Sequence, residues 1–265
     1  MRLLIDHRTT YRFTEPQARL VQMLRVTPQN SHDQTVAAWR IDVDRDARLR
    51  NGCDGWGNAV TMLYVEGPLD GIDIAVTGEV VTSHSGGVLH GVTERLPPLL
   101  FLRDTPATPR DPAIARWAGE VAAGGDRLGA LHRINGALGE RLAIDPRRSG
   151  AVRDAATVWA DGRATARELA QVFVVAARSL GVPARYVSGY SLGEGDHRAA
   201  PHGWAEAHVE GIGWIGFDPR ARRSPGEHHV RVAAALDAAG AAPVAGSRLG
   251  EGREMLDVDV TVERA

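Results

Sequence analysis

At 265 residues, 43% hydrophobic and 24% charged, the chain has the make-up of a soluble globular protein, long enough for two domains. A net charge of −2 excludes the concentrated positive field that nucleic acid or an anionic membrane surface requires. The single cysteine, Cys53, excludes an internal disulfide framework and a zinc–thiolate cluster.

The N-terminal residues Met1–His7 lack the long apolar stretch of a secretory signal, and no run approaches the ~20 apolar residues of a membrane span, so a cytoplasmic protein is expected. Strands are predicted at Leu4–Phe13, Leu20–Val26, Thr35–Val43, Ala59–Val65 and Ile74–Val81, where β-branched and apolar residues alternate between Gly, Pro, Asn and Asp. Cys53 falls in a turn-forming stretch, Asn51–Asn58, between two of them. The proline-rich segment 97–112 reads as a linker. Helical periodicity follows at Pro112–Val121, at Leu128–Leu142 and over 165–180, where Thr165 and Glu168 have the spacing of a capping box. Strands return at Ala184–Tyr190, His202–Val209 and Trp214–Phe217. The last, Met255–Glu263, sends Leu256, Val258, Val260 and Val262 to one face, and the Ala/Gly-rich stretch 232–250 reads as loop.

Three segments of the second half carry a resemblance. Ala177-Arg178-Ser179-Leu180-Gly181-Val182-Pro183-Ala184-Arg185-Tyr186-Val187-Ser188-Gly189-Tyr190, His202-Gly203-Trp204-Ala205-Glu206 and Gly213-Trp214-Ile215-Gly216-Phe217-Asp218-Pro219 occur in that order. The chain resembles the bacterial transglutaminase-like family. The resemblance implies an α+β fold: an N-terminal β-sandwich over residues 1–100, then a papain-like core of helices packed on an antiparallel sheet over 101–265. It also implies a cysteine nucleophile at the start of the helix running into Arg178, a histidine that shares its proton, and an aspartate that orients the histidine. A helix N-terminus favours thiolate there. His202 and Asp218 match the second and third members.

Counting back from Arg178, the cysteine position holds Ala166, and alanine cannot be a nucleophile. The places where the family continues Cys-Gln-Asp, with a later His, hold Arg167, Glu168 and Gln171 here. Pro201-His202-Gly203-Trp204 stands for Ser-His-Ala-Trp, Asp218-Pro219-Arg220 for Asp-Pro-Thr, and Ala234-Ala235-Leu236-Asp237 for Gly-Arg-Asp-Tyr. So many departures around one pocket suggest natural drift from the chemistry. The resemblance then implies a non-catalytic homologue that binds a peptide or protein ligand, or an amine, in the old cleft, with no cofactor, metal, nucleic acid or membrane partner. Binding roles fall to Arg167, Glu168, Gln171, Trp204 and Glu206. Two alternatives stay open: a cysteine-type amidase, peptidase or acyltransferase whose Cys has been replaced by Ala166, or a hydrolase in which His202 and Asp218 activate water. All 31 basic residues are arginine, which removes any lysine amine for self-crosslinking.

Other chemistry-bearing residues have plainer readings. Thr165, beside the lost thiol, suits a helix cap better than a nucleophile. His202, Glu206 and His208 share a strand face and with Asp218 form a conceivable metal set, although alternate strand residues converge poorly. His228-His229 reads as an exposed loop pair; Arg147-Arg148 and Arg220, Arg222, Arg223 read as solvated charges, the latter near enough to Asp218 to rim a pocket. The helix beginning near Thr165 is expected to point its N-terminus at His202.

Overall fold

A computed structural model describes residues 1–145, 153–193 and 201–265. Arg147 and Arg148 lie outside the described residues.

The first half is built from β1 (Arg2–Leu24), β2 (Gln34–Val43), β3 (Arg48–Cys53) and β4 (Ala59–Thr82). Two pairs of predicted strands are thus single long strands, β1 and β4, which pair antiparallel along most of their length. Their register shifts between Arg12 and Arg19, and there the sheet doubles over. Beyond the bend β2 pairs with residues 74–82 of β4, while β3 pairs with residues 59–64. Tyr11, Phe13, Ile72 and Ile74 from one leaf share a core with Leu20, Leu24, Leu63 and Val65 from the other. One folded sheet therefore makes both layers of the sandwich. Cys53 closes β3 and is exposed, with the turn beginning one residue later.

The expected linker is more than a connection. Pro98–Leu102 forms a 3₁₀ turn that buries Phe101 edge-on against Trp214. Helices α1 (Pro112–Ala122) and α2 (Arg127–Arg141) follow, their N-termini capped by the carboxylates of Asp111 and Asp126. A two-residue parallel pairing, β5 (Ala143–Ile144) with β6 (Arg163–Ala164), brackets α3 (Ala155–Asp161). That helix was not expected. Asp154 caps it and Gly162, in the left-handed region, stops it after seven residues, too few to show a period.

Next come α4 (Ala166–Ser179), β7 (Ala184–Ser191), β8 (Pro201–Val209), β9 (Gly213–Phe217) and β10 (His229–Ala235). The four strands form one antiparallel sheet in the order β10-β7-β8-β9, with α4 packed against β8 and β7. Leu169, Val172, Phe173 and Ala176 of α4 meet Ala205 and Ala207 of β8 in the main core. The guanidinium of Arg178, at the end of α4, is buried and donates to the carbonyls of Phe101, Ala184 and Leu236 and to Thr108 Oγ1. Burial pulls its pKa down to about 10.

The chain then returns to the first sheet. Residues 244–249 form β11 and Glu254–Arg264 form β12, and both pair antiparallel with β1. The expected loop over 232–250 thus contains most of β10 and all of β11, and the last strands belong with the sheet of the first hundred residues rather than with the core. Val260 and Val262 of β12 are buried, whereas Leu256 and Val258 on the same face are exposed.

Candidate functional site

Helix α4 sets one side of the site. Its capping box forms as the spacing requires: Thr165 Oγ1 accepts the Glu168 N–H at 3.3 Å, and a Glu168 carboxylate oxygen accepts the Thr165 N–H at 2.9 Å. The carboxylate also accepts the backbone N–H and the guanidinium of Arg153. Burial would push the Glu168 pKa up, but these donors hold it at about 2. Gln171 is fully buried, donating to the Arg153 carbonyl and accepting from the Ala238 N–H. Glu168 and Gln171, expected to bind a ligand, are therefore engaged in holding α4 to its neighbours. Thr165 is a cap.

Ala166 is the first helical residue and is half-buried. Arg167 beside it is half-buried too, within electrostatic reach of the Tyr186 hydroxyl. That hydroxyl lies 2.0 Å from where a Cβ at position 203 would stand. Glycine at 203 leaves the space that Tyr186 fills.

His202, at the start of β8, places Nε2 2.6 Å from Asp218 Oδ2, just past the end of β9. Asp218 Oδ1 accepts the N–H groups of Arg220 and Ala221, at 3.0 and 3.2 Å. A second histidine reaches the same carboxylate. His229 Nε2 is 3.2 Å from Oδ2 and the ring is buried, which overturns its reading as an exposed loop residue. No period or motif in the sequence announces it, because Asp218 and His229 meet only through the turn between β9 and β10. Burial opposes ionisation of Asp218, but the charge and hydrogen bonds of the two histidines hold its carboxyl well below the usual carboxylate range. Burial also pushes the His229 imidazole down, against the pull of Asp218.

The ionised carboxylate must accept, so His202 donates from Nε2 and its neutral form carries an unprotonated Nδ1. That atom is the proton acceptor a thiol would need. The Trp204 ring lies 6.0 Å from His202 and 5.5 Å from His229, walling the cluster.

Glu206 is elsewhere. Fully enclosed, it accepts from Arg185 at 2.7 Å and from Arg231 at 2.7 Å, while Arg185 reaches on to Glu94 and lies over the Trp214 ring. Its role is structural, and His208 packs on Trp214. The metal set of His202, Glu206, His208 and Asp218 therefore does not assemble. His202, Asp218 and His229 do bring three metal-type donor atoms within 4.8 Å of one another. The Gly226 N–H, however, points at His229 Nδ1 at 3.3 Å. That puts the ring proton on Nε2, the atom a metal would take, and makes the cluster a hydrogen-bonded one. Arg220, Arg222 and Arg223 are exposed, as expected.

Comparison with known proteins bears on the family and the fold. Residues 3–81 match the bacterial transglutaminase-like N-terminal region, and residues 115–219 match the transglutaminase-like superfamily core. An uncharacterized protein of Mycobacterium leprae is 25% identical over 290 residues, spanning 99% of both chains. The crystal structure of a proposed cysteine protease from Cytophaga hutchinsonii superposes with a TM-score of 0.78 at 18% identity, covering 100% of this chain and 91% of that one. At that identity the likeness speaks for the fold. The two matched regions identify the chain as a member of the transglutaminase-like superfamily.

Proposed function

We propose that this protein is a non-catalytic transglutaminase-like protein that binds a peptide or protein ligand, or an amine, in the cleft where its relatives form an acyl-enzyme. The observation that carries this reading is a paired histidine and aspartate with an alanine where the resemblance puts the thiol. His202 stays on Asp218 at 2.6 Å while alanine heads α4. A thiolate there would attack a side-chain amide or peptide carbonyl, with His202 taking the thiol proton and returning it to the leaving amine. With a methyl group in its place the covalent step has no nucleophile, and binding is what the cleft can still offer.

The test pairs this protein with its Ala166→Cys variant in assays of glutamine-peptide deamidation, amine incorporation and peptide hydrolysis. The reading expects turnover from the variant alone, and equal binding of the variant's substrate by both proteins. Turnover by the unmodified chain that disappears in His202→Ala would replace it with a hydrolase using His202 and Asp218 on water.

A further inference from the structure

We propose that His229 is a positioning residue of the His202–Asp218 pair, so that the site works as a three-member His–Asp–His unit. The inference rests on the reading above only in taking His202 and Asp218 as the working pair. Its own basis is geometric. Nε2 of His229 and Nε2 of His202 approach the same carboxylate oxygen, at 3.2 and 2.6 Å, while Oδ1 is held by two backbone N–H groups. Four donors leave the carboxylate one orientation. The Gly226 N–H, aimed at Nδ1, decides the tautomer that lets His229 donate. Its ring is confined by Trp204 in a T-shaped contact, so the donor has little freedom to turn away.

A shared oxygen has an electrostatic consequence. Each N–H it accepts draws on the same negative charge, so His229 and His202 compete for it. Other charged and titratable groups pack around the unit, His84 beside Gly226 among them. Arg223 acts on His229 and pairs its backbone with Asp218, and Arg220 and Arg222 of the same turn are exposed. From α2, His132 packs on Phe217. From β8 and β10, Glu206 and Arg231 pair with each other. From the bend before β2, Asp33 lines a small cavity of about 70 Å³ that His229 and Trp204 border.

The test is NMR of the full chain with ¹⁵N-labelled histidine, reading the tautomer of each ring and the titration of His202. The proposal expects a single neutral, Nε2-protonated tautomer of His229 at neutral pH. It expects His229→Gln, which keeps an N–H donor, to leave the His202 midpoint in place. His229→Leu should move that midpoint upward, because one donor is withdrawn from the carboxylate. A proton on Nδ1 of His229, or the same His202 midpoint in the Leu variant, overturns it. Should the Leu variant not fold, the tautomer in the unmodified chain decides. In the Ala166→Cys background, the pH dependence of alkylation of the introduced thiol should move with the His202 midpoint. If that thiol reacts as a free thiol in every background, the cleft reading fails, while the tautomer and midpoint still decide the role of His229.

Discussion

At the scale of single residues, charge and space explain most of what the site has become. Glu206 is the strongest case. Burial opposes its charge, and two arginines reverse that effect and hold the carboxyl at about 2, against an ordinary value of 4.5. A carboxyl depressed on folding contributes stability that is fully present above about pH 4.5 and is lost as pH falls through about 2. We expect Glu206→Gln to destabilise the protein by about 3–5 kcal/mol, because it leaves buried Arg185 and Arg231 short of their carboxylate. Urea unfolding at pH 7 checks the magnitude. The same measurement repeated down to pH 3 should show a flatter acid limb in the variant. Residues two apart on β8 thus separate in role: Trp204 walls the cluster and Glu206 locks the sheet. Their shared face was legible in the sequence; that two arginines flank only one of them was not.

Elements are governed by their ends. Helix α4 begins where it does because Thr165 and Glu168 satisfy one another's backbone donors, and Arg153 then clamps the same carboxylate from outside. Thr165→Ala should cost about 1 kcal/mol, the usual loss of an N-cap, read as a lower urea midpoint with an unchanged slope. If the threonine were a substitute nucleophile instead, its loss would abolish an activity rather than shift stability. The ends of β10 matter differently. It is an edge of the core sheet, and residues of the N-terminal sheet cover it. Asn58 exchanges two hydrogen bonds with the Ala234 backbone, and Gln34 does the same with Arg231. An exposed edge is thereby closed to other chains.

Across the whole molecule, the two parts are joined more closely than their order along the chain suggests. His7 of β1 meets the Tyr190 hydroxyl of β7 at 2.9 Å, and burial pushes the His7 imidazole down to about 4, so it stays neutral in that contact. The last strands complete the first sheet: β12 registers with residues 3–13 of β1, and β11 with residues 19–24. A chain ending at Pro243 would leave one whole side of β1 unpaired and uncover the apolar row that includes Leu3 and Ile5. We expect that truncation to yield insoluble protein, or protein without a cooperative thermal transition. A soluble truncated chain melting at the same temperature as the full one would mean that β11 and β12 are dispensable.

By itself, the sequence determined what is local or carried by a motif. Helices α1 and α4 follow from Asp111-Pro112 and Thr165 at their starts, most strands follow from alternation, and the pairing of His202 with Asp218 follows from two motifs with the spacing of a known family. Tertiary structure alone decided contacts between residues that no local pattern links. It doubled one sheet over into two layers, brought the C-terminal strands back to β1, and set Glu168 and Gln171 to holding α4 rather than facing a ligand. It also brought His229 onto Asp218. These outcomes depend on which buried polar groups find partners once the chain is packed, and burial is a property of the whole fold.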